Sequence, residues 1–596
     1  MANNKNFIAK NGVSTGDGYS MPDIRPSLLL DFANSKTLDP RITFTRGSTA
    51  TYWDGHTTTK AEENLVKYSQ DYSQGDWSKF NLTLTDDATT APDGTTTAAS
   101  LITNTANENH YIAFAYTDLS NREVTQSWFA KANGYNYCFV GHGIGTTEGA
   151  WFNLSTGATG TVGGAITSSS ITSVGNGWYR CSITYTINQS VRYAIIAATN
   201  ADGTVFFTGD GSSGIYAWGA QVEQRSSATA YTATTSNPIV KYQPTLQTAA
   251  SGVARFDHDP VTSESKGLLV EEARTNLVTY SEGTSGWTLY NNGTLTNDVA
   301  VAPDGTRAAQ VFNYDGGTGV LRINTTALTN GTTYTMSVYL KSNNSDTPSV
   351  NLQIGDTTVV SSQALTNEWV RYSGSGTPAV TGYNFLDIEI PTGSDISIWG
   401  AQLEQAVFPT SYIPTSGSSA SRSADAPQIE IDSTSDWYSN EGTLYGKFSI
   451  GGFETSQSPI SLYDSTIGNN WMGFYSSTPQ VDGTSAISVT AYRAVPTDSN
   501  SAGGSIKTVS GGATARYFAV GEVIQAAMSF STTEYNSGGA GAIANQPGSY
   551  LIPSHNVLSL YKLYSGGFAA KSSHIRKVAF YPQFMTQAEL EALTED

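Results

Sequence analysis

One ordered set of short motifs occurs twice in this chain, and that duplication constrains the fold more than any other feature. Asn64-Leu65-Val66, Ala91-Pro92-Asp93-Gly94, Trp178-Tyr179-Arg180 and Trp218-Gly219-Ala220-Gln221 appear in that order. They return as Asn276-Leu277-Val278, Ala302-Pro303-Asp304-Gly305, Trp369-Val370-Arg371 and Trp399-Gly400-Ala401-Gln402. Solenoid units run roughly 20–50 residues, whereas this unit, at about 120 to 170 residues, has the size of a domain. Two copies of one domain therefore fill the middle of the chain.

The pattern inside the copies is that of β-strands. Tyr334, Met336, Val338 and Leu340 alternate with Thr335, Ser337, Tyr339 and Lys341; in the first copy Val124, Gln126, Trp128 and Ala130 share one face. Such a period of two marks half-buried antiparallel strands. Turn signals recur at short intervals, among them Asp202-Gly203, Asn292-Gly293 and Asn330-Gly331. Many short strands with this punctuation predict an all-β fold of tandem antiparallel β-sandwich, or jelly-roll, domains. One helix stands out: Thr586 is a good N-cap and Glu589 completes a capping box, so a short helix closes the chain near Leu593.

Composition narrows the function classes. The 596 residues carry a formal charge of −19, with only 14% charged side chains. Nucleic-acid binding needs a basic surface, and none is present. No run of apolar residues is long enough to insert in a membrane as a helix. Met1 to Asn6 lacks the basic start and apolar core of a secretory signal, which predicts synthesis in a cytoplasm. Two cysteines, Cys138 and Cys181, make no disulfide framework; Cys181 alternates with Tyr179, Ile183 and Tyr185 and reads as a buried thiol, with a Cys138–Cys181 bridge left open.

Several segments resemble a set found in virion proteins of tailed bacteriophages, mostly tail or fibre components. These are Leu28-Leu29-Leu30-Asp31-Phe32; Phe44 to Trp53; Ala254-Arg255-Phe256-Asp257-His258-Asp259-Pro260; and Gly267 to Leu277. Both repeats resemble the jelly-roll carbohydrate-binding modules that accompany glycanases and occur in phage appendages. The stretch from Gly442-Thr443-Leu444-Tyr445-Gly446 to the capped helix resembles concanavalin A-like, laminin G-type sandwiches. The phage-type segments ordinarily follow one another closely, but here the first repeat separates them. The resemblance thus implies a small discontinuous β-domain of residues 25–61 plus 237–270 into which the first repeat is inserted. The full division is a virion-docking arm at 1–24, that small domain, a first jelly roll at 62–236, a second at 271–418, a linker at 419–426 and a laminin G-type sandwich at 427–596.

The resemblance implies a non-enzymatic structural virion protein, a homotrimer, that docks to other virion proteins through its arm and attaches to host-surface polysaccharide. The alternatives are an accessory carbohydrate-binding protein of a polysaccharide-degrading system and a capsule depolymerase. Sugar recognition stacks aromatic rings on pyranose faces and satisfies hydroxyls with polar side chains. Trp77 and Trp287, after the opening motif of each repeat, and Trp151, near His142 and Asn153, are the candidate glycan contacts. Trp178, Trp369, Trp218 and Trp399 read as core. A glycosidase needs two carboxyls about 5–10 Å apart; Glu223 and Glu404 are duplicated and read as structural, so no catalytic residue is assigned. Neither a metal cluster nor a cofactor is predicted, although Asp202-Gly203 and Asp210-Gly211 are compatible with calcium.

Overall fold

The computed structural model describes residues 25–594 apart from 118–121, 188–190, 284, 291–292, 307, 315–318, 344–346, 453–456, 467–470, 477–488, 495–519, 532–533, 540–541, 548–554 and 563–570. The arm assigned to residues 1–24 lies outside them. The regular structure of the described residues is mostly antiparallel β-sheet, arranged as tandem sandwiches with a short C-terminal helix, Gln587–Thr594. Thr586 and Glu589 cap that helix reciprocally: Thr586 N donates to Glu589 Oε2 at 2.8 Å and Glu589 N to Thr586 Oγ1 at 3.4 Å.

The first module faces two six-stranded sheets against each other. Its front sheet runs Trp77–Phe80, Tyr111–Thr117, Val191–Thr199, Tyr137–Gly141, Gly149–Asn153, Ala158–Val162 in spatial order. Its back sheet contains Ala98–Thr103, Gly214–Glu223, Glu123–Asn133 and Trp178–Thr186. Val124, Trp128, Ile183, Ile196, Val140 and Phe152 meet between them, and both cysteines are free and buried there. The second module repeats the plan with two five-stranded sheets. Its front sheet runs Trp287–Tyr290, Gly319–Asn324, Phe385–Ile390, Ser349–Ile354, Thr357–Ala364.

The duplicated motifs now have physical roles. Asn64 donates from Nδ2 to the carbonyls of Ala220 and Thr232 at 2.9 and 2.8 Å, and Asn276 does the same to Ala401 and Ile413 at 3.2 and 2.8 Å. Each asparagine thereby ties its module's opening strand to the Trp-Gly-Ala-Gln strand that closes it. Within that closing strand Gly219 and Gly400 take φ of +62° and +66° at a break in strand register. A β-bulge of this kind needs a left-handed residue, which glycine supplies without strain. Glu223 and Glu404 are both buried and accept from Thr229 and Thr410 respectively, so this duplicated pair holds the loop after the closing strand.

The segments that the resemblance assigns to a small discontinuous domain are divided between a ribbon and the C-terminal sandwich. Ala50–Asn64 and Ile239–Ala249 do pair, as a long two-stranded ribbon flanking the first module's insertion point. Their other strands enter the C-terminal sandwich. Leu28–Asp31 pairs with Ser572–Tyr581, Ser265–Glu271 pairs with the same strand, and Ile42–Thr45 pairs with Ala426–Glu430 in the opposing sheet. A few strands of four to seven residues bury too little to support a core of their own. Leu28, Leu30, Leu268 and Val270 instead join Leu444, Phe448, Ile460, Phe474 and Phe580 in one hydrophobic cluster.

The ribbon also carries the second module. Trp53 and Leu246 pack with Trp399, Tyr412 and Tyr339, and Leu246 N donates to Pro303 O at 2.7 Å. A Cβ on Gly305 would stand 2.8 Å from Thr245 Cγ2, whereas one on Gly94, at the same turn of the first module, meets nothing within 4 Å. The turn is identical; only the second copy is docked.

Candidate functional site

The three tryptophans singled out as glycan contacts lie in the interior. Trp77 is 2% exposed; its Nε1 donates to Lys67 O and Tyr68 O at 3.1 and 3.2 Å, and Tyr72, Phe114 and Trp128 cover its ring. Trp287 repeats this arrangement with Tyr280 O at 2.9 Å. Both sit on the inward phase of their strand, so their ring faces belong to the core. Trp151 points outward from the front sheet, but Phe139 packs on it at 4.7 Å, Val205 and Ile144 join the same cluster, and Nε1 donates to Thr204 O at 3.1 Å. A sugar ring has no access to any of the three in this conformation.

The surface with recognition chemistry is the outer face of the second module's front sheet. Alternation builds it. Val350, Leu352, Ile354, Leu386, Ile388, Ile390, Leu321 and Ile323 turn inward and are fully buried. The intervening residues turn outward. Strand register then lines them up in two rows across the sheet. Thr288 lies beside Arg322, Arg322 beside Asp387, and Asp387 beside Gln353. Tyr290 lies beside Val320, Val320 beside Glu389, and Glu389 beside Asn351.

The side chains lock one another in place. Arg322 donates from Nε and Nη2 to the two oxygens of Asp387 at 2.8 and 2.7 Å. That bidentate contact holds the guanidinium charged above its ordinary range, outweighing a smaller opposing effect of burial. The same guanidinium lies 3.5 Å from the ring centre of Phe385 and 4.9 Å from that of Tyr290. Asn351 Nδ2 and Gln353 Nε2 each donate to one oxygen of Glu389, at 2.9 and 2.7 Å. Ser362 N donates to Asn351 Oδ1 at 2.8 Å. Tyr290 is 45% exposed and offers a ring face to solvent.

Such an array suits hydroxyl recognition. Carboxylate and amide oxygens retain lone pairs for hydroxyl donors, and orientations fixed before binding spare the entropy of ordering them. The array does not suit hydrolysis: each carboxylate oxygen already accepts from a neighbour on the face. Among the described residues, no group of three or more His, Cys, Asp or Glu is placed to hold a metal ion, and no helix is long and apolar enough to cross a membrane.

Tyr290, Arg322, Asn351, Gln353, Phe385, Asp387 and Glu389 escape a reading that looks for tryptophan. Their signal is present nonetheless: Val350 to Ile354 and Phe385 to Ile390 alternate aliphatic with amide or acid, and the residues that alternate with a core are those a face displays.

Comparison with known families places this face in context. Residues 276–395 match the family described as carbohydrate binding domain. Among solved structures, the N-terminal CBM22-1-CBM22-2 tandem domain of Paenibacillus barcinonensis Xyn10C is similar at 9% sequence identity, covering 58% of this chain and 99% of that chain with a TM-score of 0.18. No curated protein matches. The second module thus carries a segment similar to carbohydrate binding domains, and that segment contains every residue of the polar face.

Proposed function

We propose that this chain binds glycans without cleaving them, and that the outer face of the second module's front sheet is the site. The observation that carries the reading is the preset array of Arg322, Asp387, Glu389, Asn351 and Gln353 beside an exposed Tyr290, inside the segment similar to carbohydrate binding domains. Two carboxylates against one guanidinium leave the face net acidic, on a chain of charge −19. The ligand is therefore a neutral, hydroxyl-rich glycan; uronate-bearing or sulfated chains meet repulsion.

Affinity electrophoresis of the full chain tests this, with galactomannan, xylan and mixed-linkage β-glucan against alginate and polygalacturonate. Retardation by a neutral polymer, reduced about tenfold or more in Arg322→Ala, is expected, since a hydrogen bond to a charged group contributes about 1.5–3 kcal/mol. Equal retardation of wild type and Arg322→Ala, or retardation by the acidic polymers alone, would rule the site out.

The biological setting we propose is an appendage of a tailed phage, with glycan binding serving host attachment. Its support is the ordered set of segments at Leu28, Phe44, Ala254 and Gly267 that resembles phage virion proteins. Mass spectrometry of purified virions checks it: the chain co-purifies with particles through a density gradient, and its absence there would favour an accessory role in polysaccharide use.

A further inference from the structure

The chain has only two cysteines, and they meet. Cys138 lies on Tyr137–Gly141 in the front sheet of the first module, and Cys181 on Trp178–Thr186 in its back sheet. Both are free and fully buried, and the two thiols are within hydrogen-bonding reach of each other across the core. Stacked sheets ordinarily stand about 10 Å apart. These two strands come within 8 Å of each other, Cα to Cα, which approaches the ~4.4–6.8 Å that a disulfide spans. Nothing in the fold calls for thiols here. Strand register aligns Cys138 with Val350 of the second module and Cys181 with Tyr372, so the sibling fills both buried places without sulfur. A buried residue touches about 6–12 others. Two cysteines placed independently in a chain of 596 residues would therefore seldom be neighbours.

We propose that Cys138 and Cys181 form an oxidative modification site: on meeting a low-molecular-weight disulfide they close a bond that staples the two sheets of the first module. The exchange balances. One cysteine thiolate attacks a sulfur of the oxidant, whose S–S bond breaks and whose other half leaves as a thiol with the proton. The second cysteine then attacks the protein sulfur of that mixed disulfide and expels the second thiol. Two cysteine sulfurs are oxidised and the two oxidant sulfurs are reduced. Burial, reinforced by the contact with Cys138, pushes the Cys181 thiol well above its ordinary range. Thiolate is therefore scarce in the closed module, and the reaction proceeds through its transient openings. The same burial shields the finished bond from reductants. Disulfides persist outside cells, which is where a chain engaging surface glycans works; the exchange itself does not depend on that reading.

The experiment uses the full chain, purified under reductant, freed of it and incubated with glutathione disulfide in buffer and in sub-denaturing urea, which populates the opened module. Samples are denatured, alkylated with N-ethylmaleimide and analysed by mass spectrometry, with calorimetry in parallel. The variants are Cys138→Val, which installs the sibling's residue, and independently Cys181→Ala. Oxidised wild type is expected to lose two hydrogens, to take no alkyl group and to yield one linked peptide containing Cys138 and Cys181, faster in urea than in buffer. One thermal transition is expected to rise by about 5–15 °C on oxidation, since closing a loop of this size constrains the unfolded module. Neither variant is expected to form the link or to show that rise. Two thiols that remain alkylatable after incubation in urea overturn the proposal. So do glutathione adducts on both cysteines in place of a link, or a link that leaves the transition unmoved or lowers it.

Discussion

Five charged side chains, none more than 3% exposed, meet where distant segments of the chain converge: Arg46, Arg255, Glu271, Arg422 and Asp425. Asp425 receives Arg46 at 2.9 Å and Arg255 at 2.5 Å; Glu271 receives Arg255 at 2.9 Å and also Arg422. Three of the five, Arg46, Arg255 and Glu271, belong to the motif segments Phe44 to Trp53, Ala254 to Pro260 and Gly267 to Leu277, so those segments spell an ion network as well as strands. Burial alone would raise Glu271; the Arg422 and Arg255 charges outweigh it and hold the carboxyl below its ordinary range. A folded value below the unfolded one means the stabilisation is complete above about pH 4.3 and drains as pH falls through the folded value. Asp425→Asn leaves two buried guanidinium groups under-compensated, and breaking a buried pair from one side costs about 3–5 kcal/mol. Urea unfolding of the C-terminal sandwich should show a loss of that order; a loss below about 1 kcal/mol would mean the network is not a keystone.

At the scale of strands and turns, much of this structure is legible in the residues. The duplication, the alternation of Tyr334 to Lys341 and the Thr586 cap predict what is found: that stretch is one strand, Tyr334–Ser342, and the helix follows its cap. What alternation does not say is which phase of a strand faces which neighbour. Trp77 and Trp287 look like binding residues because tryptophan is rare and large; it is buried for the same reason, since a large ring excludes the most water when the core takes it. Trp151 shows the complementary problem: its phase is outward, but a loop bearing Val205 covers it. Loop coverage depends on tertiary contacts that no local pattern encodes. The polar face of the second module was legible in principle, because a five-residue run such as Val350 to Ile354 assigns its own inward and outward members; strand register, set by distant pairings, then decides that Asn351 and Gln353 reach one carboxylate.

Taken whole, the molecule is nested. The C-terminal sandwich draws strands from Leu28–Asp31, Ile42–Thr45, Arg255–His258 and Ser265–Glu271 as well as from residues beyond 425, and the two modules are excursions from it. The first leaves at Asn64 and returns at Ile239, and those two residues are paired in the ribbon. Excising residues 65–238 and joining the ends by a two-residue Asn-Gly turn should therefore convert the ribbon into a simple hairpin. Calorimetry should retain the transitions of the second module and the C-terminal sandwich; their disappearance would show that the first module is a structural support and not an insertion.

Leu28 pairs with Phe580 and Leu30 with Val578. The strand Leu28–Asp31 thus has no partner until the strand Ser572–Tyr581 has been made. Both modules can close while synthesis continues, because each holds its own strands. The enclosing sandwich cannot, and its early strand Leu28–Asp31 must be kept from foreign edges until Ser572–Tyr581 arrives. The body that encloses the others in sequence is the one obliged to finish last.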